Sequence, residues 1–406
     1  MYGYSFLDDF VLLYPVYALL FSDTGLSVAQ VSSLFVLWSV TGILLEVPSG
    51  ALADAVSRRL LLWTGPLLSA TGFALWVLAP SYWTFALGFV LWGAKGAFGS
   101  GALEALVYEE LAHLGAADRY AHVMGRARAA ALLGVMAATA LAGPALAAGG
   151  YALVGAASVG ACVVTAGVGW GFPEHRGGGS GDASPEGGAE AEGGAEGWWA
   201  ALRAGVAEAR GDRAVRGALL LVPAVTAVWG ALDEYTPLLV REAGAADAEV
   251  PWWLLLVWVG ATAGSLLAGT VRGVGAAGFA GLLAGAGLAL AAGAALPAGG
   301  LPLPAGIALI ALAFCGFQLA TVLADARLQD SVKGPGRATV TSLAGAATEL
   351  TTVAVYATYG FLAPSTTHGT TFAVFAAPYV LAALAPAMSN GRRSSHYRQQ
   401  RQRKRR

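Results

Sequence analysis

Long apolar runs, separated by short polar, basic or glycine-rich breaks, fill almost the whole chain. Twelve of these runs reach spanning length. They lie near 5–22, 28–53, 59–79, 83–107, 127–148, 151–172, 215–239, 252–271, 275–296, 303–326, 338–362 and 370–389. A helix needs about 20 residues to cross about 30 Å of hydrocarbon. No segment sustains the period-2 alternation of a barrel strand. The pattern therefore predicts an all-α membrane protein with twelve transmembrane helices. The first run starts close to Met1, carries Asp8 and Asp9 and has no basic leader, so a cleaved signal peptide is not expected.

Composition agrees with the pattern. Hydrophobic residues are 56 % of 406, 56 more are glycine, and only 12 % are charged, about half the charge of a soluble domain. An ordinary soluble enzyme, a disordered chain and a fibrous repeat are excluded. The abundant glycine and alanine suit close helix packing in lipid. Cys162 and Cys315 lie in apolar runs, which excludes a disulfide framework or a cysteine metal cluster. The five histidines sit in loops or at run ends, so no catalytic set is visible and no enzyme is expected.

The net charge of −1 hides a segregation. With the N-terminus placed inside and the loops assigned alternately, 22 of the 24 basic residues fall inside. Arg241 alone falls outside, and Lys95 lies within a run. That asymmetry is the positive-inside rule, and it predicts two cytoplasmic termini. Residues 173–212 are rich in glycine and glutamate and read as a flexible cytoplasmic linker. No Lys-Ser/Thr follows the glycines, so they are not a phosphate loop. The chain thus divides into a six-helix bundle at 1–172, the linker, a second six-helix bundle at 213–390 and a basic tail at 391–406. The tail fits an anchor on the inner leaflet better than a nucleic-acid site.

The two bundles echo each other. Gly125-Arg126-Ala127 with Leu132 and Gly134 returns as Gly336-Arg337-Ala338 with Leu343 and Gly345. Gly50, Leu52 and Arg58 return as Gly264, Leu266 and Arg272. Glu104-Ala105 and Glu109 return as Asp325-Ala326 and Asp330. The offsets are 211, 214 and 221, and every echo lies at a cytoplasmic run end. Duplicated halves around a midplane site are the physical basis of alternating access.

Gly50-Ala-Leu-Ala-Asp54-Ala-Val-Ser57-Arg58-Arg59 joins the second and third runs. It resembles the loop between helices 2 and 3 of the major facilitator superfamily, with Ser57 where that loop usually has glycine. Glu46-Val47-Pro48-Ser49 and Arg337-Ala338-Thr339-Val340 resemble its drug:proton antiporter members. The resemblance implies a cytoplasmic gate in which Asp54 pairs with Arg58 or Arg59, or with the helix-11 start at Arg337. Gly50 and Arg126 belong to the same gating set. Gly134, Gly143 and Pro144 in the fifth run resemble the antiporter motif in relaxed form. There, small residues would admit helix 8 and the proline would bend the helix.

Ionisable residues inside spans are functional hypotheses. Glu349 and Lys95 fall near the midplane, Asp8 and Asp9 in the inner part of helix 1, and Asp233 and Glu234 in the outer third of helix 7. Glu349 is the first proton-coupling candidate, followed by Asp8, Asp9, Asp233 and Glu234. The resemblance implies that helices 1, 4, 7 and 10 line a cavity, which puts Lys95 within reach of an acid. Tyr14, Tyr17, Trp92, Trp229, Tyr235, Phe317 and Gln318 are the other cavity candidates. Many aromatics with few hydrogen-bonding groups suit an apolar or aromatic substrate. The expected function is secondary active transport, by proton-coupled export of a hydrophobic or aromatic small molecule. Import of a small metabolite and a non-transporting sensor or scaffold are the alternatives. No cofactor is expected beyond the proton gradient. The expected partners are substrate, protons and the lipid bilayer of the cell membrane, with no nucleic acid and a monomeric state.

Overall fold

The computed structural model describes residues 1–55, 57–99, 101–173, 213–271, 274–295, 302–331 and 337–381. Their side chains are described except at 46–55, 213–214 and 337–339. Most of the expected linker and all of the basic tail lie outside the described residues. Those residues are helical throughout, with no strand among them.

In the N-terminal half the helices are α1 (Tyr2–Asp8), α2 (Tyr17–Asp23), α3 (Val28–Ala55), α4 (Arg58–Leu78), α5 (Tyr82–Gly99), α6 (Ala102–His113) and α7 (Tyr120–Trp170). The C-terminal half holds α8 (Arg213–Asp233), α9 (Thr236–Glu242), α10 (Val250–Ala268), α11 (Ala276–Ala294), α12 (Leu303–Ser331), α13 (Arg337–Leu362) and α14 (368–381). Seven of the described helices, α3, α4, α7, α8, α10, α11 and α12, are long and apolar enough to cross a membrane. The helix α7 is two arms that fold back at Gly149 and Gly150, where the dihedral angles leave the helical region.

Three of the expected runs are broken helices. The first breaks between Asp8 and Tyr17, and its freed backbone is not left bare: Leu13 N–H donates to Ser158 Oγ on α7 at 3.0 Å. Non-helical backbone at membrane depth persists only where it is satisfied in this way. The fourth run breaks after Gly99 and resumes past Gly101, whose φ of +73° suits a residue without Cβ. The seventh breaks between Asp233 and Thr236, and Pro237 opens α9, where its missing N–H costs no hydrogen bond. The helices α2 and α9 are alike in form. Each is seven residues long, and each ends in a left-handed glycine, Gly25 at φ +90° and Gly244 at φ +98°.

Small residues set the helix spacing. A Cβ on Gly260 or Gly264 of α10 would run into the backbone carbonyls of Ala311 or Cys315 on α12. The two glycines are four apart, so one face of α10 lies flush on α12. On the N-terminal side, α4 meets α5 where Gly72 faces Gly88, and Trp76 covers Gly88. Trp76 is fully buried with Phe21, Phe73, Phe85 and Phe89, and its Nε1–H donates to Phe85 O at 3.2 Å. The halves meet where α3 packs on α13 and α7 on α10.

Candidate functional site

Between the halves lies a cavity of about 880 Å³. A smaller chamber of about 200 Å³ adjoins it, sharing Tyr14, Trp38, Trp92, Val135, Glu234 and Trp258 as walls. Beyond the chamber the halves are sealed together. Arg241 of α9 pairs with Asp23 of α2 at 2.5 Å and bonds Ser22. Tyr151 Oη–H donates to Asp23 Oδ2 at 2.6 Å. Deeper in, Ser32 and Tyr235 share a hydrogen bond of 2.7 Å, and Gly360 fits tightly against Ser32. From Glu234 and Tyr356 the large cavity runs toward Ala97 and Ser342, the direction of the helix ends that carry Arg58 and Arg337.

Three broken helices supply all of its described charges but Glu349. Lys95 Nζ donates to Asp8 Oδ2 at 2.8 Å, with both side chains less than a quarter exposed. The α1 break turns Asp9 onto the central cavity, while Asp8 faces a side cavity of about 360 Å³ bounded by α1, α4, α5 and α6. Lys95 borders both cavities, and Gly65 leaves room for its stem. Across the central cavity, Glu349 of α13 lines the wall. Asp233 and Glu234, at the α8 end, line the deep chamber, and Tyr17 Oη–H donates to Glu234 Oε2. Counting along helix 7 places this pair in its outer third; in the structure the break after Asp233 sets it in the wall of the deep chamber, near the seal.

An aromatic stack forms the N-terminal wall. Tyr14 lies on Trp92 with ring centres 5.1 Å apart and planes 15° apart. Trp92 lies on Trp38 at 4.7 Å and 17°. Trp38 and Trp258 are absent from the sequence-derived set, because they sit on α3 and α10 rather than on the four helices expected to line the cavity. Nothing in their local sequence separates them from lipid-facing tryptophans.

The remaining candidates serve packing. Trp229 Nε1–H donates to Thr321 Oγ1 at 3.2 Å, tying α8 to α12. Phe317 is buried against Tyr379. Gln318 donates to Ser265 Oγ at 2.9 Å. Tyr235 stacks on Tyr359 at 3.6 Å, within the seal. None of these four borders either described cavity of the site.

At the opposite end, Ser57 caps α4 by accepting from Leu60 N–H at 3.1 Å. Arg58 pairs with Glu109 of α6, and the Arg59 guanidinium lies 5.3 Å from the Trp170 ring centre. Arg126 is exposed. The side chains of Asp54 and Arg337 lie outside the described residues, and Gly50 is described only as backbone of α3. In the fifth run, a Cβ on Gly143 would strike the Ala248 carbonyl and Trp252 at the approach to α10, as a helix-8 contact requires. Gly134 instead abuts the Phe6 carbonyl of α1, within its own half. Pro144 is exposed inside the first arm of α7.

Comparison with known proteins agrees with this architecture. No curated protein matches the sequence. Among solved structures, the nucleoside transporter NupG superposes with a TM-score of 0.73 at 13 % identity, covering 94 % of this chain and 96 % of that one. An auto-inhibited POT family peptide transporter gives 0.67 at 15 %, covering 96 % of each chain. A D-xylose-proton symporter gives 0.62 at 15 %, covering 94 % of each. At such identities the likeness is one of fold. The sequence profile of the Major Facilitator Superfamily matches residues 1–356, and with that span the chain belongs to this family of membrane transporters.

Proposed function

We propose that the chain is a secondary active transporter that works by alternating access and couples proton entry to export of a hydrophobic or aromatic small molecule. The carrying observation is the central cavity. It has an aromatic wall on one side, carboxylates on the other, and a seal between the halves at one end. In this reading twelve crossing units form two six-helix bundles, with both termini in the cytoplasm. The sealed end faces outward, and the cavity opens toward the basic loops. Asp54, Arg58, Arg59 and Arg337 close the cytoplasmic end when the Asp23–Arg241 seal opens. Such a switch needs only a few kcal/mol of differential contact. Glu349 carries the proton, loading and releasing as access alternates, with Asp8, Asp9, Asp233 and Glu234 as the other candidates.

The test is transport in inverted vesicles with an imposed pH gradient and a panel of aromatic substrates. Uptake driven by an acidic lumen, and lost in Asp54→Asn at unchanged membrane insertion, is the expected result. Uptake indifferent to the gradient would remove the coupling. A reporter fused at the C-terminus should be cytoplasmic, and an external one would overturn the twelve-span topology.

A further inference from the structure

The deep chamber holds an imbalance that packing alone does not explain. Asp233 has no hydrogen-bond or ion-pair partner among the described residues, and its carboxylate borders the chamber. Glu234 borders it too, with Tyr17 holding one oxygen. Among the described residues no lysine, arginine or histidine lines the chamber, and Lys95, the one described base in the adjoining cavity, is engaged by Asp8. A carboxylate removed from water without a partner is costly, and a bound cation would offset that cost. The facing wall is the Tyr14, Trp92 and Trp38 stack, with Trp258 beside it. Aromatic faces attract cations that are weakly hydrated and broad.

We infer that this chamber is a head-group subsite for an organic cation, a substituted ammonium attached to an aromatic ring. The inference rests on the transport reading and narrows its substrate class. Size fits: a cavity of about 150 Å³ accepts benzene, so about 200 Å³ takes one ring with a compact ammonium. The cation centre sits between the aromatic wall of Tyr14, Trp38 and Trp258 and the Asp233 and Glu234 carboxylates, while the rest of the molecule extends into the larger cavity. A hard inorganic cation would gain little from the rings, and an anion would meet two carboxylates.

The probe is radiolabelled phenyltrimethylammonium, bound to the purified full-length chain in lipid nanodiscs. The competitors are tert-butylbenzene, which has the same shape without the charge, and benzenesulfonate, which reverses it. Free concentrations are measured to correct for partition into lipid. Saturable binding is expected, with each competitor at least about tenfold weaker than unlabelled cation, a difference of one tenfold step in Kd. Asp233→Asn and Glu234→Gln should each weaken binding about tenfold or more, and Asp233→Glu should restore most of it. Displacement by tert-butylbenzene as effective as by the cation overturns the inference. So does the absence of saturable binding by the wild-type chain at millimolar probe, or unchanged affinity in both neutral variants. Wild-type selectivity decides the matter even if a variant fails to fold. Gradient-driven export of a neutral hydrophobe alongside failed cation selectivity would keep the transport reading and remove the cation. Selective cation binding without gradient-driven transport would do the reverse.

Discussion

The two walls of the cavity carry their charge in opposite ways. On the N-terminal side, Lys95 forms a close pair with Asp8 at 2.8 Å, Asp9 lines the central cavity beside Lys95, and Tyr14, Trp92 and Trp38 form an aromatic stack. On the C-terminal side, Asp233, Glu234 and Glu349 line the space, with no basic residue of that half lining either cavity. The helices behind the walls differ too. The fourth run breaks at Gly99–Gly101, whereas α12 runs unbroken from Leu303 to Ser331. The N-terminal wall thus sets a base between two acids, beside an aromatic stack. On the C-terminal wall, Asp233 has no hydrogen-bond or ion-pair partner among the described residues, and Tyr17 holds one oxygen of Glu234.

The largest expected effect comes from breaking the paired side. Lys95→Met leaves Asp8 buried without its partner, and removing one member of a buried pair costs about 3–5 kcal/mol. The pair is partly open to the cavity, which pulls the figure to the lower end. Adding Asp8→Asn should recover most of the loss in a thermal-unfolding double-mutant cycle. On the other wall, Asp233→Asn should leave stability unchanged or raise it, because it removes a charge that has no partner to lose. If both walls respond alike, the contrast fails.

The second test falls on coupling. Glu349→Gln should lower proton-driven transport by about tenfold or more, in the range of typical coupling free energies, while gradient-free exchange persists. The readout is substrate-triggered proton flux in reconstituted vesicles. A normal proton-to-substrate ratio in that variant would move the carrier to Asp8, Asp9, Asp233 or Glu234.

A smaller shift is expected at the seal. Arg241→Ala removes the contacts to Asp23 and Ser22. For a pair exposed to this degree the loss is about 1 kcal/mol or less, at most about a fivefold change in the population of the form opened at that end. Reactivity of a cysteine placed at Trp258, labelled from outside, should rise accordingly. Unchanged labelling would mean that Ser32, Tyr235 and Gly360 hold the seal without the ion pair.

The smallest effect is one of pH. Glu242 Oε2 accepts from His368 N–H at 2.8 Å, joining α9 to α14, and His368 Nδ1 lies 2.7 Å from Tyr359 Oη. Burial lowers the His368 pKa below its ordinary 6.5; the Glu242 charge opposes that shift and Arg241 adds to it. A depressed histidine pKa means the unfolded chain takes up a proton before the folded one does. This contribution to stability is therefore complete above about pH 6.5 and falls as the solution is acidified below it. Thermal unfolding of His368→Gln should lose that part of the acid dependence. An identical slope in both proteins would assign it elsewhere.

Much of the architecture was legible in one dimension. Run length gave the helical membrane class, because lipid imposes that constraint residue by residue. Glu349 was legible as a cavity acid from its depth alone, and Lys95 as an amine needing an acid. Other residues were not. Trp229, Tyr235, Phe317 and Gln318 lie on the expected cavity helices, yet they pack into neighbours, since depth does not fix rotation about a helix axis. The Asp23–Arg241 seal had a signal, the single basic residue left on the outer side, but its partner is 218 residues away.

The sequence by itself determined that this chain is a helical membrane protein, because hydrophobic length is a local quantity. Only the tertiary structure decided which charges pair and which are left facing the cavity. It broke α1 before Tyr17 and α8 after Asp233, and those breaks separate Asp8 from Asp9 and bring Asp233 and Glu234 to the aromatic wall. The reason is that backbone freed from a helix inside lipid must find partners elsewhere in the fold, as Leu13 finds Ser158 some 145 residues away.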